Sequence, residues 1–110
     1  MKKSSLTALA RQQLGRARES SSGRSADTVY GGHEQVLRQT VIALTAGSML
    51  NDHENPGEAT VHVLLGRVRL AAAEVAWEGS PGDLLIVPDQ RHSLEALEDA
   101  VVLLTVAKLA

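Results

Sequence analysis

The chain has 110 residues, 44% of them hydrophobic and 22% charged, with a formal net charge of −2 and no cysteine. That length and apolar content fit one compact domain, which at this size buries roughly 65% of its unfolded surface, and exclude a disordered regulator or a second domain. Without thiols there is no disulfide framework and no thiolate metal site, and with Tyr30 and Trp77 as the only aromatic residues there is no platform for stacking nucleic-acid bases.

In chain order, charge is the first feature to change. Residues 1–24 carry six basic groups against Glu19, whereas residues 25–110 carry five basic and twelve acidic groups. A basic arm thus precedes an acidic body, and the body argues against nucleic acid as a partner because phosphate contacts need a basic face. Within the arm, Ser4 or Ser5 caps a helix over about 5–18, with Leu6, Leu9, Ala10 and Leu14 on one face. This helix reads as a solvated element lying against the body's negative surface. The Ser-rich stretch from Glu19 to Thr28 reads as a flexible connection, which divides the chain into an arm at 1–26 and a folded body at 27–110. Nothing approaches the apolar run of a secretory signal or of a membrane span, so the expected location is cytoplasmic, without membrane contact.

From Asp27 onward the apolar period shortens to that of strands. Segments near 36–45, 48–54, 59–65, 67–77, 83–88, 91–97 and 100–107 are short and rich in Val, Leu, Ile and Thr. Reversals at Ala46-Gly47-Ser48, Asn55-Pro56-Gly57, Gly66 and Glu78 to Gly82 separate them. Seven short strands on such spacing predict an all-β barrel or sandwich. The run Leu70 to Val75 contains three consecutive alanines, yet lies between two reversals and is read as strand, not helix.

Two of these hairpins carry a recognisable spacing. Gly47 is followed after five residues by His53, then by Asn55, Ala59 and Gly66; Gly82 is followed after five residues by Pro88, and then by His92. This resembles the two motifs of the small single-domain cupins, and with the flanking strands it covers about residues 36–107. His92 comes one residue earlier than the family pattern, and Ala96 stands near a position where the family has Asn. The resemblance implies a small antiparallel β-barrel or jelly roll with an N-terminal α-helix, an interior pocket for a small-molecule ligand, and a homodimer. Metal-binding members resemble one another in holding iron, manganese, nickel or zinc with three His and one carboxylate. Here His53 and His92 occupy two of those positions, while Asn55 and Ala59 occupy the others.

Strand parity sorts the neighbours. If His53, Asn55 and Ala59 face inward, so do Val61 and Val63, and His62 points outward with Thr60 and Leu64, a row suited to a contact with a second copy. Glu58 is one residue out of register, and a distorted turn beside it would let it complete a two-His, one-carboxylate set suited to Fe(II) or Mn(II). Two consecutive glycines after Tyr30 allow that segment to fold over the barrel mouth, bringing Tyr30 and His33 to the pocket. Trp77 reads as a packed rim residue, Asp83 as a turn cap, and Glu95, Glu98 and Asp99 as a solvated connection. His92 follows an apolar strand and shares its face with Leu94 and Ala96, which favours the neutral imidazole that coordinates metal or acts as a base. Three functions stay open: a small-molecule pocket with or without a divalent ion, an oxygenase or isomerase, and an interaction module that docks through the basic arm.

Overall fold

The computed structural model describes residues 2–53 and 57–108. Among these residues one helix, α1 (Leu6–Glu19), precedes nine strands: β1 (Arg24–Tyr30), β2 (Leu37–Leu44), β3 (Met49–His53), β4 (Gly57–Leu65), β5 (Val68–Ala72), β6 (Val75–Gly79), β7 (Leu84–Ile86), β8 (His92–Ala96) and β9 (Ala100–Lys108). The strands form a five-stranded sheet ordered β1-β2-β9-β4-β7 and a four-stranded sheet ordered β3-β8-β5-β6, every pairing antiparallel. This is the expected all-β jelly roll with an N-terminal helix.

Alternation along the strands creates two cores. Ala59, Val61 and Val63 of β4 meet Ile42, Leu44, Leu70, Leu94 and Val102 between the sheets. The opposite face of the five-stranded sheet buries Val41, Ala43, Val101 and Leu103 under Ala10, Leu14 and Ala17 of α1. The sheets approach closely where β6 passes β4 and β7: a Cβ at Gly79 would stand 3.0 Å from Val63 Cγ2 and 3.1 Å from Leu85 Cδ1. At the other margin, Arg24 Nη1 on β1 donates to the Met49 carbonyl on β3 at 3.2 Å.

Ser5 caps α1 by accepting from the Ala8 amide at 3.2 Å. Small residues at Ala10 and Ala17 let the helix lie close on the sheet. Gln13 is buried at 1% exposure; its Oε1 accepts from the Ser25 hydroxyl, and its Nε2 has no partner among the described residues.

Three expectations are corrected. The stretch from Glu19 to Thr28 is not simply a connection, because Arg24–Tyr30 is a full strand paired with β2 and the expected boundary at 26/27 falls inside it. The segment 67–77 is two strands, reversing at Ala73-Glu74, where Ala73 has φ +50°. Asp99 is not merely solvated. Its Oδ1 accepts from the Ala46 amide at 2.8 Å and its Oδ2 from Arg18 Nε at 3.0 Å. Asp83, by contrast, does cap its turn, accepting from the Ser80 amide at 2.8 Å.

Candidate functional site

The four-stranded sheet builds the site by layers. Leu50, Leu94, Leu70 and Trp77 stand opposite one another across β3, β8, β5 and β6, forming one row of the inner face. One step toward the open end, His53 on β3 pairs in register with His92 on β8, after a bulge that follows Leu50. His92 shares the pleat of Leu94 and Ala96, both in the core, and is itself half-buried. Its Nδ1 lies 3.1 Å from the Gln90 carbonyl, which can only accept, so Nδ1 is the donor of that bond.

Next to this row lies a cavity of about 120 Å³ lined by Leu70, Ala72, Val75, Trp77, Pro88 and Gln90. Ala72 follows Ala71, which pairs with Ser93, so register places the cavity wall beside His92. Trp77 is 49% exposed because β6 is an edge strand, and one side of its ring is left to the cavity. Trp77 is a rim residue, and it also lines the cavity. Reading 67–77 as a hairpin would have revealed it, since a two-residue reversal at Ala73-Glu74 puts Trp77 opposite Leu70.

The other candidates are not gathered here. Ala59 is 7% exposed within the core and offers no donor atom. Glu58 pairs with Ala107 on the outer face, in line with Thr60 and His62, and is exposed. The pleat holds from Gly57 onward, so Glu58 does not swing inward to join His92. Tyr30 stands opposite Gln39 on the outer face and is 54% exposed; a bulge after Thr28 sets that register. His33 is exposed in the segment that Lys108 ties to the lip, through its amide to the Val36 carbonyl at 2.8 Å and its ammonium to Gly32. It is not among the residues lining the cavity. Asn55 lies outside the described residues. His62 points outward as expected, opposite Leu103 and Leu84, and Leu64 of the same row is partly covered by α1.

Of the four donors that the resemblance implies for a metal, the described side chains supply one, His92; the His53 side chain and Asn55 lie outside them. Among the described residues no group of three His, Cys, Asp or Glu side chains converges. The carboxylate position is an alanine buried among valines, and the neighbouring carboxylate faces away.

No protein-family profile matches the chain, and no curated protein matches it. Solved structures do. A conserved protein of unknown function from Streptococcus pyogenes is 26% identical, with a TM-score of 0.73 over 83% of this chain and 79% of that one. A cupin superfamily protein from Desulfitobacterium hafniense is 14% identical, with a TM-score of 0.68 over 77% of this chain and 79% of that one. An RmlC-like cupin from Desulfovibrio desulfuricans is 23% identical, with a TM-score of 0.67 over 76% of this chain and 81% of that one. Two packed antiparallel sheets, together with these likenesses, define the class of fold: the chain has the fold of the small cupin-type domains.

Proposed function

We infer that this domain binds a small, largely apolar molecule at the open end of the barrel. Leu70 and Trp77 form the apolar wall, and His92 is the polar group that orients the ligand. The observation that carries this reading is the apolar cavity beside a histidine whose ring is held by the Gln90 carbonyl. A cavity of about 120 Å³ is close to the ~150 Å³ that accommodates benzene in an engineered core, so the occupant is one ring or a short branched chain, too small for a nucleotide. No step of this reading passes through a metal.

Trp77 is the only tryptophan and so reports on its own site. Titration with 3-phenylpropanol is expected to change its fluorescence saturably, with a dissociation constant of about millimolar or below. Val75→Arg, which places a long side chain in the cavity from a half-exposed edge position, is expected to weaken binding about tenfold. A linear response, or equal affinity in the variant, removes the pocket reading. Elemental analysis of the purified protein beside a His53→Ala, His92→Ala double variant tests the competing reading: stoichiometric metal present in the first and lost in the second replaces a metal-free pocket with a metal-dependent one.

A further inference from the structure

The outer face of the five-stranded sheet carries a second cavity, apart from the one beside His92. It encloses about 140 Å³ between the start of α1 and the end of β4, and it is lined by Leu6, Thr7, Ala10, Arg11, Leu64 and Leu65. Strict alternation would not place both leucines there. Ala59, Val61 and Val63 point inward, so an unbroken pleat would send Leu64 out and Leu65 in. A bulge intervenes: Val63 stands opposite Val102, but Leu65 stands opposite Val101, which packs on the outer face under α1. The extra residue turns Leu65 to the same side as Leu64, and both pack against the helix cluster. The helix residues that face them, Thr7 and Ala10, are short, so the two layers do not close on each other at this end.

The polar side chains of this lining are one hydroxyl and one guanidinium. Arg11 is exposed and forms no ion pair among the described residues. Its neighbours one turn away along α1 are Thr7, Ala8, Leu14 and Gly15, and the helix's single carboxylate, Glu19, lies about 12 Å further along the axis. Around the end of β4, where the Asp83 carbonyl accepts from the Val63 amide and the Asp99 carbonyl abuts Gly66, the carboxylates have partners of their own. Asp99 accepts from Arg18 and the Ala46 amide, Glu98 lies 3.7 Å from Arg67, and Asp83 accepts from the Ser80 amide. On the outer face itself, Glu58 is about 20 Å from Leu64 along β4, and Asp27 on β1 is three strands away, about 14 Å. His62, the outward residue before Leu64, is half-buried and brings no negative charge. An apolar recess edged by a hydroxyl and such a guanidinium is complementary to a molecule with a short apolar body and a carboxylate, because that anion takes two parallel hydrogen bonds from the planar fork.

We propose that this cavity is a second ligand site, which takes a small monocarboxylic acid with its apolar body between α1 and Leu64 and Leu65 and its carboxylate on Arg11 and Thr7. The volume is close to the ~150 Å³ that holds benzene in an engineered core, which sets the body at about six carbons. The proposal is independent of the pocket reading above, and its test reads backbone amide shifts by two-dimensional NMR instead of Trp77, which belongs to the other sheet. At low ionic strength hexanoate is expected to shift the amides of Ala10, Arg11, Leu64 and Leu65 saturably, with a dissociation constant of about millimolar. The uncharged probe 1-hexanol is expected to shift the same amides with about tenfold lower affinity. Arg11→Met is expected to bring hexanoate down to the alcohol's affinity while leaving the alcohol unchanged, and Arg11→Lys to retain part of the preference, since a point charge replaces the fork. Thr7→Leu, which fills the recess from an exposed position, is expected to weaken both probes about tenfold. Equal affinities for the two probes in the wild type, or a preference that survives Arg11→Met, overturn the assignment of the carboxylate to Arg11. Unchanged binding in Thr7→Leu, shifts that fall only on residues around Trp77, or no saturable shift overturn the site itself, and each leaves the pocket beside His92 to its own test with 3-phenylpropanol.

Discussion

At Gly66 φ is +72°, and a Cβ built there would run into the Asp99 carbonyl; at Gly47 φ is +86°, and the same Cβ would meet nothing within 4 Å. Both positions demand the left-handed region, which costs an L-residue about 1–2 kcal/mol, but only Gly66 adds a backbone collision. Gly47→Ala is therefore expected to lower the melting temperature by roughly 5–10 °C, and Gly66→Ala by clearly more, both read from circular dichroism melts. Equal losses would show that the approach of the Asp99 carbonyl carries no cost. Both glycines were legible in the sequence as reversals, as was the inward parity of Ala59, Val61 and Val63. Parity also leaves Glu58 outside, and only an assumed irregularity at the preceding turn had brought it in. Tyr30 was misplaced for the opposite reason: the bulge after Thr28 has no residue signature, so its register could not be read from composition.

Among the elements, α1 is tied to the body by a carboxylate as well as by its packed face and the Gln13–Ser25 bond. Asp99 accepts from the Ala46 amide and from Arg18, and these contacts, the amide foremost, hold its pKa below the ordinary 3.8. A depressed carboxylate contributes stability that is fully present above its unfolded value and is lost as pH falls through the folded value. Asp99→Ala is thus expected to lower the melting temperature by roughly 5 °C at neutral pH, with the gap to wild type narrowing once the pH drops below about 4. The Arg18 side chain is 58% exposed, so the ion pair itself is screened, and raising salt at neutral pH should remove only part of the difference. A gap that stays constant from neutral pH to well below 4 would assign the loss to packing instead. Elements bounded by Gly or Pro were readable in advance. The hairpin of β5 and β6 was not, because its reversal uses Ala73-Glu74, and β1 was not, because a Ser-containing edge strand with mostly exposed positions lacks the alternation that marks a half-buried one.

For the whole molecule, the question is whether the basic N-terminal segment is an arm for a partner or a structural layer. Its apolar face covers Val41, Ala43, Val101 and Leu103, and two of its cations are engaged within the chain, Arg18 with Asp99 and Arg24 with the Met49 carbonyl. Burying a Val or Leu side chain stabilises by about 1.5–3 kcal/mol, so uncovering this patch forfeits on the order of 5 kcal/mol, comparable with the whole net stability of a domain this size. Deletion of residues 1–22 is therefore expected to give a chain that aggregates or melts without cooperativity at 25 °C. Such a deletion cannot separate docking from folding. Charge reversal on the solvent side can: Arg11 and Arg16 are both exposed, and Arg11→Glu with Arg16→Glu should leave the melting temperature within about 3 °C of wild type, since substitutions away from packed features cost little. Pocket binding of 3-phenylpropanol should then persist in the charge-reversed protein, while any association with an acidic partner should weaken. If the truncated chain instead melts cooperatively near the wild-type temperature, the helix contributes no core, and the positive segment returns to being a free arm.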